Sequence, residues 1–236
     1  RSFFGVHTVL LEEERKFHVL MHGITVHGAQ YLDPARRSVP TAYFHRDSPI
    51  GQVFSVLGTG GSFKRVAAVG MGLGTLGCYR EPGRDWTFYE IDPVVVRIAR
   101  DASMFRFLTR CQPNADIVLG DARLTLGKEP ARRFDYLVID AFTSDAVPVH
   151  LLTREALLLY IDKLAADGLL ALHISNRHLD LVGVAGALVA SVPGVHVSHV
   201  LGKGDGTLFA PASSVMFVSR SADVIAATMQ LQGARQ

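Results

Sequence analysis

The sequence predicts an α/β protein: a doubly wound parallel sheet with a small N-terminal β appendage. From residue 65 onward, short apolar β-rich runs alternate with helical patterns, which is typical of a parallel sheet covered by helices. Residues 1–47 instead contain short alternating or clustered strand patterns around a Pro- and Arg-rich turn at 33–40. A run of glycines follows the first strand of the large sheet, as in many ligand-binding α/β domains.

The alternation places each element of the main domain in order. Strands are predicted over 65–69, 86–90, 116–119, 134–139, 169–174, 196–200 and 214–218. Helices are predicted over 93–101, 154–165, 181–190 and 222–231. Pro93 suits a first helical turn and Thr153 suits an N-cap, so two of these helices have recognisable starts.

The appendage is predicted from three shorter strand patterns, at 5–11, 17–22 and 29–32. A helix over 48–57 joins it to the main domain, and 58–62 is the expected linker. We therefore divide the chain into residues 1–60, a small β appendage with its joining helix, and residues 61–236, a nucleoside-binding, methyltransferase-like domain.

Composition excludes several classes of protein. Of 236 residues, 48% are hydrophobic and 19% charged, which is enough apolar surface for a core and rules out a disordered chain. The formal net charge of +2 creates no broad positive field, so a nucleic-acid partner is not expected and a small molecule is.

Membrane and redox signals are also weak. The longest apolar run, 181–195, contains glycines and a proline and is shorter than the ~18–20 residues that a membrane span requires. Cys78 and Cys111 cannot form a disulfide framework, so a reducing compartment, the cytoplasm, is expected. The chain opens at Arg1 without a signal-peptide pattern, and we expect it to be a fragment of something longer.

The glycine run after the first strand predicts a nucleotide or nucleoside site. Gly70, Gly72 and Gly74 give a G-x-G-x-G pattern that is frequent in nucleoside-binding methyltransferase-like folds, and with Gly77 a G-x-G-x-x-G pattern also fits. Glycines there let the backbone turn sharply and lie against a ligand. A tight packing turn is the alternative interpretation.

Two acidic residues follow at the ends of the next strands. Glu90 ends the second strand, where a carboxylate can accept hydrogen bonds from both ribose hydroxyls. Asp121, followed by Ala122, comes after the third strand within reach of an adenine amino group; taken alone, Asp121 is better explained as a helix N-cap. Together with the glycines, these residues predict a binding site at the carboxyl ends of the strands.

The fourth strand leads to Asp140 and a polar loop that contains Asp145. A carboxylate at this edge can hold an ammonium group and accept its proton, leaving an amine lone pair to attack an electrophilic carbon. Attack beside a sulfonium needs no metal, because the thioether leaves readily. The alternative is that Asp140 or Asp145 merely caps the loop or the following helix.

The ten histidines do not indicate a metal site. No H-E-x-x-H pattern or Cys/His cluster is present, and His22 and His27 are five residues apart. His173 ends a strand at the predicted cleft, where contact with a ligand and a purely structural role are equally compatible with the pattern.

The motifs together resemble the spermidine synthase (polyamine aminopropyltransferase) family. The matching segments are 70–77, 89–92, 120–122 and 134–148, in that order and spacing. Residues 22–30, 140–155 and 173–179 look most like a bacterial spermidine-synthase-like branch that is often fused behind membrane helices. The resemblance spans roughly residues 17–220.

The resemblance implies a small N-terminal β domain, a methyltransferase-like domain and a homodimer. It further implies transfer of an aminopropyl group from decarboxylated S-adenosylmethionine to a small amine, with no metal. By that match Glu90 binds ribose, Asp121 and Ala122 the adenine side, and Gln30 and His45 the donor's remaining edge. Asp140 is the amine-activating base, and Asp145 assists in binding the amine. A cytoplasmic domain tethered to membrane helices outside this chain is the corresponding location.

Three departures from the family pattern leave other functions open. Leu73 stands where the family's loop has an aspartate for the donor's ammonium group, and Thr143 stands where a second loop aspartate is expected. The family's Tyr-His-Glu motif reads Phe44-His45-Arg46 here. The alternatives are a methyltransferase that uses intact S-adenosylmethionine and a non-catalytic nucleoside-sensing domain of a membrane protein. An NAD oxidoreductase is less well supported, because no hydride-transfer constellation follows the glycines.

Overall fold

A computed structural model describes residues 1–14, 16–23, 25–141, 148–176 and 179–235. These residues form two β-sheets with helices on both faces of the larger one. The predicted α/β fold with a small N-terminal sheet is confirmed.

The smaller sheet contains three antiparallel strands: β1 (His7–Glu12), β2 (Phe17–His22) and β3 (Thr25–Tyr31). The first strand begins two residues later than predicted, and the third begins four residues earlier. Strand β3 pairs with β2 through a register shift near Leu20, and such an irregularity breaks the simple alternation of a strand pattern.

The larger sheet has eight strands in the order β11-β9-β10-β8-β7-β4-β5-β6. They are β4 (Arg65–Val69), β5 (Asp85–Glu90), β6 (Asp116–Leu119), β7 (Phe134–Ile139), β8 (Leu164–His173), β9 (His196–Gly202), β10 (Ser213–Ser219) and the two-residue β11 (Ala234–Arg235). The five strands from β8 to β6 are parallel, whereas β10, β9 and β11 pair antiparallel. All five parallel strands therefore present their carboxyl ends at one edge.

Seven α-helices lie along the described chain. They are α1 (Pro49–Val56), α2 (Pro93–Arg100), α3 (Phe107–Cys111), α4 (Ala122–Gly127), α5 (Arg154–Lys163), α6 (Val182–Ala190) and α7 (Ala222–Thr228). Ser48, Asp92, Asp121, Thr153 and Ser221 each accept a backbone N–H as N-caps. These caps explain why the sequence marks the starts of helices better than their ends.

Two apolar layers cover the faces of the sheet because neighbouring residues of each strand point to opposite sides. Val66 and Ala68 of β4 join one layer, which also includes Phe54 of α1, whereas Ala67 and Val69 join the other. Helix α1, predicted as part of the appendage, thus contributes to the core of the larger sheet. The division at residue 60 stays a prediction.

Three differences from the predicted elements concern boundaries and short helices. Strand β8 begins at Leu164, five residues earlier than predicted, so α5 ends at Lys163. The short helices α3 and α4 were not predicted, since segments of five or six residues carry too little periodicity to separate them from loops.

Helix α3 brings Cys111 beside Cys78, and the two cysteines form a disulfide with a Cα–Cα distance of 4.8 Å. The expectation of two reduced cysteines is therefore wrong for this structure. The sequence does not indicate this pairing, because 33 residues separate the cysteines. They meet only when α3 packs against the 3-10 turn Thr75–Cys78.

The smaller sheet packs on the glycine run and on α3. Leu20 of β2 lies in a buried cluster with Leu73, Phe105 and Phe107. Within the described part of the chain, we find no helix with the length and apolar character needed to cross a bilayer.

Candidate functional site

A cavity of about 570 Å³ opens at the carboxyl-end edge of the parallel strands. The ends of β4, β5, β7 and β8 and the residues after β6 line it on the side of the larger sheet, and β3 and the 3-10 turn Ala42–Phe44 line it as well. The smaller sheet thus closes a site that the larger sheet would otherwise leave open. Ligands bind at this edge in open α/β sheets.

The glycine run and Glu90 form one end of the cavity. Gly70 and Gly72 line it, both with positive φ (+87° and +50°). The Glu90 carboxylate is 8% exposed and accepts backbone N–H groups from Met71 (3.1 Å) and Asp92 (2.9 Å). Strand β5 therefore presents a fixed acceptor beside the turn, as ribose hydroxyl binding requires.

The next wall contains Asp121, Ala122 and His150, all of which line the cavity. Asp121 caps α4 through Oδ1, which accepts the N–H groups of Arg123 and Leu124. Its other oxygen, Oδ2, lies 3.3 Å from His150 Nε2. The structure therefore shows the N-cap role of Asp121, whereas its contact with adenine stays a prediction.

The far end of the cavity contains Asp140, which follows β7, and His173, the last residue of β8. Asp140 Oδ1 lies 2.5 Å from His173 Nδ1. The ring of Tyr43 packs against the His173 imidazole with a centroid distance of 4.9 Å. An ionisable pair thus faces the cavity opposite Glu90.

Some predicted site residues lie elsewhere. Gln30 is not among the lining residues: its Nε2 donates to the Arg37 carbonyl and its Oε1 accepts the Arg106 N–H, so it fastens β3 to the larger domain. His45 also lies outside the lining, and burial lowers its pKa despite the nearby Asp47 and Asp205.

Gly74 has a left-handed conformation and is the N-cap of the 3-10 turn Thr75–Cys78. It is not among the lining residues either. Asp145 and Thr143 fall outside the described residues, so the place of Asp145 in the amine site stays a prediction.

Sequence reasoning missed several lining residues of the smaller sheet. His7, His22 and His27 line the cavity near Asp92, and the rings of His7 and His22 are 4.7 Å apart between centroids. Tyr43 was missed beside the Phe44-His45-Arg46 motif. The sequence does not show which way a histidine side chain on a short strand faces, because this depends on how the smaller sheet docks on the larger one.

The pKa values of the titratable groups near Glu90 are shifted in different directions. Burial raises the pKa of Glu90, although backbone N–H groups of Asp92 and Met71 oppose this shift. Burial alone would raise the pKa of Asp92 too, but hydrogen bonds from Ser2, Val94 and His7 lower it. Burial, then the neighbouring His7, lowers the pKa of His22.

Leu73 departs from the family pattern in a way that the structure explains locally. Its side chain is 1% exposed and packs under the smaller sheet, where a Cβ on Gly28 would lie 2.7 Å from Leu73 Cδ1. The position is therefore used for attaching the smaller sheet and does not line the cavity. Among the described residues, no group of three or more His, Cys, Asp or Glu side chains is arranged to hold a metal ion.

Comparison with curated proteins gives one sequence match. The chain is 29% identical over 157 residues to the polyamine aminopropyltransferase of Vibrio vulnificus (strain CMCP6). The match covers 63% of this chain and 48% of the relative, so the chain spans about half the length of the curated protein that it matches. No protein-family model matches.

Solved structures show the same fold. A spermidine synthase from Thermotoga maritima matches with a TM-score of 0.69 and 19% identity, covering 96% of this chain and 73% of that one. A probable spermidine synthase from Corynebacterium glutamicum matches with a TM-score of 0.72 and 16% identity, covering 100% and 88%. A spermidine synthase in complex with the transition-state analogue AdoDATO matches with a TM-score of 0.68 and 19% identity, covering 96% of this chain and 74% of that one.

Fold and site together define a methyltransferase-like α/β protein with a cavity at the carboxyl ends of its strands. The resemblance to the spermidine synthase family, which the motifs predict, is confirmed by the sequence match and by the three structural neighbours.

Proposed function

We propose that this protein is an aminopropyltransferase-like enzyme that moves an aminopropyl group from a sulfonium nucleoside, decarboxylated S-adenosylmethionine, to a small amine. The observation that carries the proposal is the line of acidic groups in one cavity: Glu90, Asp121 and Asp140 lie at the carboxyl ends of β5, β6 and β7, parallel strands of the same sheet. The name of the curated relative and the AdoDATO complex of a structural neighbour support the same chemistry.

The cavity orients both reactants. Glu90 accepts hydrogen bonds from the ribose hydroxyls, and Asp121 with Ala122 borders the adenine. These contacts place the sulfonium near the centre of the cavity, with Asp140 at the far end. The roles follow the order of the strands across the sheet: Asp121 after β6, Glu90 on β5, the glycine run after β4 and Asp140 after β7.

The reaction needs one bond to form and one to break. The amine nitrogen attacks the aminopropyl carbon next to sulfur, the carbon–sulfur bond breaks, and its electron pair leaves on the neutral thioether, methylthioadenosine. Asp140 accepts the proton that the amine gives up, since a positioned carboxylate in a partly desolvated site acts as a general base. No metal takes part in this step.

Exchanging Asp140 for asparagine tests the assignment. Asp140→Asn keeps the shape but cannot accept a proton, so we expect kcat to fall by about 10²–10⁴-fold while nucleoside affinity stays within a few-fold. Asp167→Asn, which changes an exposed carboxylate in β8, is the matched control and should behave like the wild type. Loss of nucleoside binding in Asp140→Asn would show that its role is misassigned.

A methyltransferase that uses intact S-adenosylmethionine is the second candidate. The observation behind it is Leu73, which offers no carboxylate for a donor ammonium group at the glycine run. Incubation with each donor and a panel of di- and polyamines separates the candidates. Methylthioadenosine as product supports aminopropyl transfer, and S-adenosylhomocysteine supports methyl transfer. Nucleoside binding without turnover under either donor would indicate a sensing domain.

The division at residue 60, predicted from the strand and linker patterns, belongs to this proposal. So do the homodimer, the cytoplasmic location and the tether to membrane helices, which the family resemblance implies. Sedimentation equilibrium of the purified chain tests the dimer directly, and a monomer at micromolar concentration would remove that part of the proposal.

A further inference from the structure

Asp140 and His173 are brought together by the register of the parallel sheet. Ile139 of β7 lies opposite Leu172 of β8, so the next residues of both strands, Asp140 and His173, face each other at the cavity edge. Their side chains are 14% and 2% exposed, and the Oδ1–Nδ1 distance is 2.5 Å. The contact is thus set by two central strands and not by a surface loop.

The other nitrogen of the imidazole is also held. His173 Nε2 lies 2.7 Å from Ser175 Oγ, and Ser175 Oγ accepts the backbone N–H of Ser214 at 2.8 Å. With one lone pair of the hydroxyl oxygen occupied by Ser214, the hydroxyl hydrogen can point at Nε2. The ring then accepts at Nε2 and carries its hydrogen on Nδ1, directed at Asp140.

We propose that His173 is a positioning residue for the amine-activating base: it holds Oδ1 of Asp140 so that the second oxygen, Oδ2, faces the amine. Ser175 and the Ser214 N–H set the tautomer of the ring, and Tyr43 supports its face. In this arrangement a neutral ring donates one hydrogen bond to an ionised carboxylate, which keeps the carboxylate oriented before the amine arrives.

The effect of His173 on catalysis rests on the proposed function, whereas the hydrogen bonds from Ser214 through Ser175 and His173 to Asp140 do not. The first experiment therefore uses no substrate. In protein labelled with 15N-histidine, we expect a slowly exchanging, downfield ring-proton resonance coupled to Nδ1 of His173. It should disappear in Asp140→Ala, which removes the acceptor, and Ser175→Ala should alter the Nε2 shift.

The second experiment compares two exchanges of His173. Asparagine places an amide N–H near the position of Nδ1, whereas phenylalanine fills the ring volume without any donor. We expect His173→Phe to lower kcat by about a hundredfold with both KM values within a few-fold, and His173→Asn to recover most of that loss. His199→Phe is the matched control, because it removes a histidine–serine contact (His199 Nε2 to Ser214 Oγ, 2.8 Å) without touching Asp140.

Each outcome decides between positioning and a purely structural role. A resonance that persists in Asp140→Ala, or equal kcat values for His173→Phe and His173→Asn at equal thermal stability, would overturn the proposal. Should the wild type transfer no group to any amine, the proposed function fails, and the resonance alone then decides whether His173 directs a hydrogen at Asp140.

Discussion

At the scale of single residues, Glu90 shows how this chain prepares a buried acceptor. Its carboxylate is fixed by two backbone N–H groups, from Met71 and Asp92, and one of these belongs to the glycine run itself. The same burial that makes the acceptor rigid makes its charge costly, and this raises its pKa. The Glu90 carboxylate is therefore held in one position and also takes up a proton at a higher pH than an ordinary glutamate.

This property predicts a pH dependence of nucleoside binding. As the pH falls through the raised pKa of Glu90, the carboxylate takes up a proton and loses acceptor capacity, so affinity for methylthioadenosine should weaken at a higher pH than an ordinary glutamate would cause. Calorimetric titrations from about pH 8 to about pH 5 measure how this affinity changes with pH.

The control for this prediction is Glu90→Gln, which does not titrate. Its affinity should be lower by about 1.5–3 kcal/mol at neutral pH, the usual contribution of a hydrogen bond to a charged group, and should change less with pH than the wild type. An affinity equal to that of the wild type would contradict the role of Glu90 in binding ribose.

At the scale of elements, the end of β4 and the first glycine after it are hydrogen-bonded to both neighbouring strands. The Gly70 N–H donates to the Tyr89 carbonyl, and the Asp140 N–H donates to the Val69 carbonyl, so β5, β4 and β7 are joined where the cavity begins. A Cβ on Gly70 would lie 2.1 Å from the Asp140 carbonyl oxygen. The missing side chain is therefore what lets these strand ends approach.

Exchanging Gly70 for alanine should disturb binding and catalysis together. Gly70→Ala adds both the penalty of positive φ (+87°), about 1–2 kcal/mol, and the clash with Asp140. Gly83→Ala is the matched control, because Gly83 also has positive φ (+78°) but an added Cβ would meet nothing within 4 Å. Urea unfolding and kcat measure the difference, and equal losses of stability in both variants would contradict the close-approach argument.

At the scale of the whole molecule, three kinds of contact attach the smaller sheet over the cavity. Leu20 packs with Leu73 and Phe105, His7 pairs with Asp92 at 2.8 Å, and Gln30 accepts the N–H of Arg106. Two of these attachments lie next to the glycine run or to Glu90. The shape of the cavity therefore depends on how the sheet is docked.

The disulfide acts at the same junction. Cys78 ends the turn after the glycine run and Cys111 ends α3, so reduction removes a link that closes a long loop of the unfolded chain. We expect reduction by a phosphine to lower the free energy of unfolding by about 2–4 kcal/mol. The double exchange Cys78→Ser with Cys111→Ser should match the reduced wild type and be insensitive to the reductant. Identical denaturation curves with and without reductant would contradict the link.

Periodic and local signals predicted most of the fold. Apolar alternation located the strands, and Pro93 in a first turn and Thr153 as an N-cap marked the starts of two helices, because those patterns lie in neighbouring residues. The short helix α3 and the early start of β8 were missed, since pairing with β7 and packing against the glycine run decide them.

By itself the sequence determined the line of candidate acids, Glu90, Asp121 and Asp140, since each follows a strand and parallel strands end at one edge. Only the tertiary structure decided their partners: strand register set His173 against Asp140, and docking of the smaller sheet turned Gln30 away from the cavity and His7 toward Asp92. The physical reason is the distance along the chain between the residues that interact. Backbone patterns act between near neighbours, whereas the partner of a side chain depends on residues brought close only when the sheets pack.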